Sequence, residues 1–205
     1  KKLISKYLYK KALIKLDGIV SVSNFTKEYL LKKSKLKGLE NKIKVINNGV
    51  AVVEKISNEK INNKIKNILF VGAIKPRKGL SEAIEALSIY NKNFDEEFAY
   101  NIVGNYDIKD PYYKKLLEKI DKLGLKNKVK FHGRIDERDL QSFYSEADLF
   151  LMLSTNNGHE FEGFGLVYLE ANNYGVPCIG PTNCGASEAI LENKTGYVVD
   201  PQDSQ

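Results

Sequence analysis

The scarce residues bound this chain first. Of its 205 residues only two are cysteine and two histidine, and only three of its 32 basic residues are arginine. Cys178 and Cys184 have neither metal-ligand nor redox spacing, so they read as reduced thiols of a cytosolic protein. His159 stands beside Glu160, but two residues with no further ligand nearby do not make a metal site; no metal is expected. His132, at the end of a predicted strand, reads as structural. No apolar run approaches the roughly 18 residues of a membrane span, and no signal-peptide pattern opens the chain. There is no Gly-x4-Gly-Lys-Ser/Thr loop and no dinucleotide fingerprint, so P-loop and NAD chemistry lack support. Internal repeats and low-complexity segments are absent.

What is present suffices for a core: 42% of the residues are hydrophobic. The chain opens on Lys1 rather than Met and stops at Gln205 with no closing helix, so it reads as a fragment of a longer protein. Its net charge of +6 is unevenly spread, because residues 1–60 carry fifteen lysines against five acids. The plain reading is a solvated lysine surface; the sharper one is a basic face that meets an anionic membrane or a lipid-phosphate substrate. Nucleic acid is disfavoured, since no aromatic–basic recognition motif appears. In so lysine-rich a chain Arg77, Arg134 and Arg138 each invite a reason.

Residues 1–16 have a helical period, Ile19–Val22 reads as a strand, and Ser23 can cap a helix over Phe25–Lys33. A strand over Ile43–Ile46 follows, closed by the turn Asn47-Asn48-Gly49. Residues 51–66 are polar and weakly periodic, a linker. From Asn67 strands alternate with helices: strands at Ile68–Gly72, Tyr100–Val103, Val129–Phe131, Asp148–Leu153, Val176–Ile179 and Gly196–Val199. Helices are expected over Leu80–Tyr90, Tyr112–Leu123, Glu137–Glu146 and Leu166–Tyr174, with a short one at Ser187–Leu191. Short apolar strands alternating with helices mean an α/β fold, a Rossmann-like parallel sheet with helices on both faces. Ligands of such sheets bind outside the strands' carboxyl ends, where the loops 73–79, 133–136 and 154–165 converge.

Two of those loops carry chemistry. Lys75-Pro76-Arg77-Lys78-Gly79 leaves a strand and enters a helix, where cations backed by backbone N–H groups suit a diphosphate; an exposed basic turn is the plain alternative. The stretch 160–177, EFEGFGLVYLEANNYGVP, combines a glycine-rich loop, an apolar helix and two carboxylates, Glu162 and Glu170. Gly163 and Gly165 let the backbone approach a ligand, and the N-terminus of the helix turns free N–H groups toward it. Glu170 on a largely apolar helix is costly unless it is paired. Two acids could flank a sugar bond, as in glycosidases. Their place at the crevice of a parallel sheet instead suits a ligand's grip, Glu170 accepting a pair of hydroxyls such as a ribose diol.

Glu162-Gly163-Phe164-Gly165-Leu166, Leu169-Glu170-Ala171 and Gly175-Val176-Pro177 resemble the signature of retaining glycosyltransferases of family 4, which have the GT-B fold. The likeness extends to Val71-Gly72, Pro76-Arg77-Lys78-Gly79, Phe131-His132-Gly133, Ala147–Phe150, Gly185–Ala189 and Gly196–Val199. Upstream, residues 20–26 and 45–50 resemble the last strands of that family's N-terminal domain. The resemblance implies that residues 1–50 are a remnant of a second Rossmann-like, acceptor-side domain, and that 67–205 form the C-terminal nucleotide-sugar-binding domain without its last helices. It implies a GDP- or UDP-linked sugar as donor substrate, no cofactor, and an acceptor glycan or lipid-linked glycan. It further implies cytoplasmic work in glycan, glycolipid or cell-surface polysaccharide synthesis, with peripheral contact at the inner membrane face through the basic N-terminal part.

By that resemblance Glu170 holds the ribose, Glu162 contacts the transferred sugar, and Arg77 and Lys78 neutralise the departing diphosphate in place of a metal. Gly72, Gly163, Phe164, Gly165 and Leu166 approach sugar and diphosphate, while Arg134 and Ile135 lie on the base-contacting loop. One departure is Ala73, where many members carry an arginine. Another is that most of the acceptor domain, with the catalytic histidine it often supplies, is not in this chain. The isolated chain is therefore expected to be inactive in transfer. A nucleotide-sugar epimerase of similar fold and a non-catalytic nucleotide-sugar-binding module are the alternatives.

Overall fold

The computed structural model describes residues 2–52, 66–94, 97–157 and 159–203. The chain divides into two compact units, Lys1–Gly49 and Val50–Gln205. Most of the linker reading, residues 53–65, lies outside the described residues.

In the first unit α1 (Lys2–Lys15) leads to β1 (Ile19–Ser21), α2 (Asn24–Ser34), a 3-10 turn (Leu39–Lys42) and β2 (Ile43–Val45). β1 and β2 pair in parallel, Ile19 opposite Ile43. Ser23 caps α2 as expected, accepting from the Thr26 N–H at 3.0 Å. The core gathers on Leu13, Leu39 and Ile43.

The second unit is built on a six-stranded sheet. Its strands are β3 (Lys66–Val71), β4 (Phe98–Val103), β5 (Val129–Gly133), β6 (Leu149–Leu151), β7 (Cys178–Pro181) and β8 (Gly196–Val199). All its ladders are parallel, in the order β5-β4-β3-β6-β7-β8. The helices are α3 (Leu80–Asn93), α4 (Pro111–Lys122), α5 (Glu137–Glu146) and α6 (Leu166–Asn173). Successive strands run one way from β3 to β5 and the other way from β6 to β8. Right-handed crossovers therefore send helices to both faces. α3 buries Leu80, Ala83, Ile84 and Leu87, one stripe at helical spacing, and α4 buries Leu116 and Ile120.

Several elements are shorter or tighter than their sequence pattern. The sixth strand spans only Leu149–Leu151; Asp148 before it is bonded twice to Asn67, its N–H donating to the Asn67 carbonyl at 2.8 Å and its carboxylate accepting the Asn67 N–H at 2.9 Å. Val176 stays out of β7 because its N–H closes the end of α6 on Ala171. The helix expected at Ser187–Leu191 is a 3-10 turn over Gly185–Ala189, and Pro76–Lys78 is another.

Candidate functional site

The order β5-β4-β3-β6-β7-β8 reverses direction between β3 and β6. Where neighbouring strands send their connections to opposite faces, the loops part and leave a crevice at the carboxyl ends. The two loops flanking that crevice are 72–79, after β3, and 152–165, after β6. They are stitched together by backbone, since the Thr155 N–H donates to the Arg77 carbonyl at 2.8 Å. At Gly79, in the left-handed region at φ +69, an added Cβ would sit 1.7 Å from the Leu153 carbonyl oxygen. No other residue fits there.

Arg77, Lys78 and Glu162 meet at this crossing. The Arg77 Nη1 lies 3.5 Å from Glu162 Oε2, and Lys78 Nζ donates to the same oxygen. Lys78 and Glu162 side chains are 12% and 15% exposed, which leaves the pair largely out of bulk water while its edge stays open to a ligand. The sequence placed cations and carboxylate on separate loops and foresaw no direct pairing. The Glu162 backbone is fixed as well, its carbonyl accepting the Gly185 N–H at 2.9 Å. The turn 182–187 is thereby drawn to the same crevice.

From Glu162 the chain runs through Gly163, Phe164 and Gly165 into α6. Phe164 is buried, a core side chain, so only its backbone is available to a ligand; Leu166, at the first turn, is partly exposed. Gly165 is the N-cap of α6 at φ +78 and supplies no side-chain cap, so the Leu166 and Val167 N–H groups stay uncapped while that of Tyr168 turns back to the Gly165 carbonyl at 3.1 Å. Its missing Cβ is also a matter of space, for one would stand 2.7 Å from the Tyr168 ring. Tyr168 cannot yield, being fully buried with its hydroxyl donating to the Met152 carbonyl at 2.6 Å.

Glu170, one turn further along, is half-buried and does find its partner. The Tyr144 hydroxyl, from α5, donates to Glu170 Oε2 at 2.7 Å. Burial, then the Glu170 charge, pushes the Tyr144 phenol far above its usual value, so it stays a donor. Tyr144 was not singled out in the sequence. Gly72 closes β3 with its N–H on the Val103 carbonyl at 2.9 Å, and its carbonyl packs where a Cβ on Gly104 would reach 1.8 Å. Arg134 and Ile135 occupy the turn between β5 and α5, Arg134 exposed. The side-chain partners of Glu162 and Glu170 come from other elements, Arg77 with Lys78 and Tyr144.

His132 is held by Asn101 Oδ1 at 2.9 Å and packs on the Phe143 ring. Both cysteines are free and buried, and burial pushes the Cys178 thiol up to about 12. Among the described residues no three His, Cys, Asp or Glu side chains cluster as metal ligands. No helix among them is long and apolar enough to cross a membrane.

Sheet order, glycine-rich loop and charged group at the switch point define a Rossmann-like α/β domain of the class found in GT-B glycosyltransferases. The chain belongs to the family described as glycosyl transferases group 1, whose model matches residues 52–205. It is 30% identical over 173 residues to an uncharacterised 41.2 kDa protein in the cps region of Klebsiella pneumoniae, covering 80% of this chain and 43% of that one. It is 34% identical over 138 residues to a GDP-mannose-dependent α-(1-6)-phosphatidylinositol monomannoside mannosyltransferase of Mycolicibacterium smegmatis, covering 66% of this chain and 35% of the relative. Among solved structures it is similar to a glycosyltransferase of Rickettsia africae, with TM-score 0.78, 28% identity, and 97% of this chain and 53% of that one covered. Anabaena HepE in complex with UDP and glucose is similar at TM-score 0.76 and 26% identity, with 92% of this chain and 51% of that one covered. The chain thus spans less than half the length of the curated relatives named here.

Proposed function

We propose that the protein carrying this chain is a retaining glycosyltransferase of family 4, and that the chain holds its donor. The donor is a GDP- or UDP-linked sugar, bound in the crevice between the loops after β3 and β6. One observation carries this reading: Arg77 and Lys78 converge on Glu162 at the β3–β6 switch point, beside the uncapped first turn of α6. A diphosphate entering there meets two cations and open N–H dipoles. As the bond from the anomeric carbon to the diphosphate breaks, negative charge grows on the leaving oxygen, and those preorganised groups stabilise it without a metal. The acceptor hydroxyl attacks from the face the diphosphate leaves and passes its proton to the departing diphosphate oxygen. Glu162 then faces the transferred sugar, and Glu170, oriented by Tyr144, accepts the ribose hydroxyls.

The relatives support a nucleotide-linked donor and divide on its base. The mycobacterial protein is named as GDP-mannose-dependent, whereas HepE was solved with UDP. The acceptor is a glycan or lipid-linked glycan, and the setting is cytoplasmic synthesis of cell-surface glycans, with the lysine-rich residues 1–60 against the inner membrane face. Residues 1–50 are read as part of the acceptor-side domain and 67–205 as the donor domain, Arg134 and Ile135 lying at the nucleotide base. Titration calorimetry with UDP and GDP tests the site. Glu170→Ala should weaken binding strongly, and Arg77→Ala with Lys78→Ala should weaken it through the phosphates. Affinities unchanged by these substitutions would sink the assignment.

A further inference from the structure

Three buried side-chain oxygens lack a hydrogen-bond partner among the described residues: Glu82 Oε2, Tyr112 OH and Ser154 Oγ. The first two are neighbours, since the Glu82 charge acts on the Tyr112 phenol. Ser154 is 2% exposed, and a hydroxyl so deeply buried is rarely left unpaired.

Its direction follows from the strand it extends. Leu149, Leu151 and Leu153 line one groove with α3 residues, so alternation persists past the end of β6. Phe150 packs edge-on against Tyr168 of α6, ring centroids 5.3 Å apart, on the other face. Ser154 continues the Phe150 and Met152 series and therefore points to the α6 side, at the carboxyl end of the strand. The flanking residues hold it against the cationic loop: Leu153 abuts Gly79, and the Thr155 N–H is bonded to the Arg77 carbonyl. A buried hydroxyl, unpartnered among the described residues, thus sits between two residues that touch the loop carrying Arg77 and Lys78.

We propose that Ser154 Oγ donates a hydrogen bond to the diphosphate of the donor bound at the β3–β6 switch point. The inference rests on the function proposed above. A hydroxyl there complements the two cations, since it orients one phosphate oxygen that a lysine's point charge only attracts.

The test is Ser154→Ala in the full chain, with UDP, GDP and their nucleosides as probes. UDP or GDP affinity should fall about tenfold, the lower part of the range for a hydrogen bond to a charged group. Nucleoside affinity should stay as it is, and the midpoint of thermal unfolding without ligand should hold or rise. A purely structural hydroxyl would show the reverse, a lower midpoint with unchanged diphosphate affinity, and would overturn the proposal. Equal binding of diphosphate and nucleoside by both forms would overturn it alone. No binding of any nucleoside diphosphate by the unaltered chain would overturn the function proposed above together with it.

Discussion

Gly165→Ala is the sharpest perturbation of the loop that joins Glu162 to α6. Two separate costs act on it. The left-handed backbone at φ +78 costs an alanine about 1–2 kcal/mol. The new Cβ then lies 2.7 Å from two Tyr168 ring carbons and 3.3 Å from the Ala186 Cβ, in a core that cannot give way. Such overpacking costs about 1–3 kcal/mol, so the sum is about 2–5 kcal/mol. For a domain of this size, about 2–4 °C per kcal/mol gives a fall in melting temperature of about 4–20 °C. Gly124→Ala separates the two costs, because Gly124 sits at φ +72 with nothing within 4 Å of an added Cβ. It should lose only the backbone share. The assay is differential scanning calorimetry of both variants, together with UDP or GDP titration. Equal melting temperatures for the two would refute the clash with Tyr168, and with it the claim that the loop is set by packing under α6.

Two further outcomes follow from buried groups. Tyr144→Phe keeps the ring stacked on Tyr174, centroids 5.5 Å apart, but leaves Glu170 without its donor. With Glu170 only half-buried, water replaces part of the bond, so about 1–2 kcal/mol of stability should go; thermal unfolding should register it, and donor affinity should fall with it. The Cys178 thiol is raised from 9.0 to about 12, first by burial, so the folded protein holds its proton where the unfolded chain releases it. Its contribution to stability is complete below pH 9 and is lost as pH rises from 9 toward 12, by about 1.4 kcal/mol per pH unit. Urea midpoints at pH 7 and 10.5 should therefore diverge more for the natural chain than for Cys178→Ala; identical divergence would count against the buried thiol as the cause.

The elements themselves were legible because each rests on near neighbours. Apolar runs bounded by glycine marked the strands, Ser23 marked the start of α2, and Glu137–Glu146 was readable at both ends. Where the reading overshot, a tertiary partner had claimed the residue, as Asn67 did Asp148. The short turn at Gly185–Ala189 has too few residues for a helical period to distinguish 3-10 from α geometry.

By itself the sequence determined an α/β chain of buried strands, a cationic loop, and a glycine-rich loop leading into a helix with an acid to be paired. These depend on residue type and spacing alone. The meeting of Lys78 and Arg77 with Glu162, 84 and 85 residues away, was decided by strand order, which alternation does not encode. So was the partner of Glu170, since Tyr144 becomes its donor only when α5 and α6 are laid side by side. Ser154 belongs to the same class. A serine after an apolar strand is ordinary in sequence, and it stands out only once packing buries its hydroxyl with no hydrogen-bond partner among the described residues.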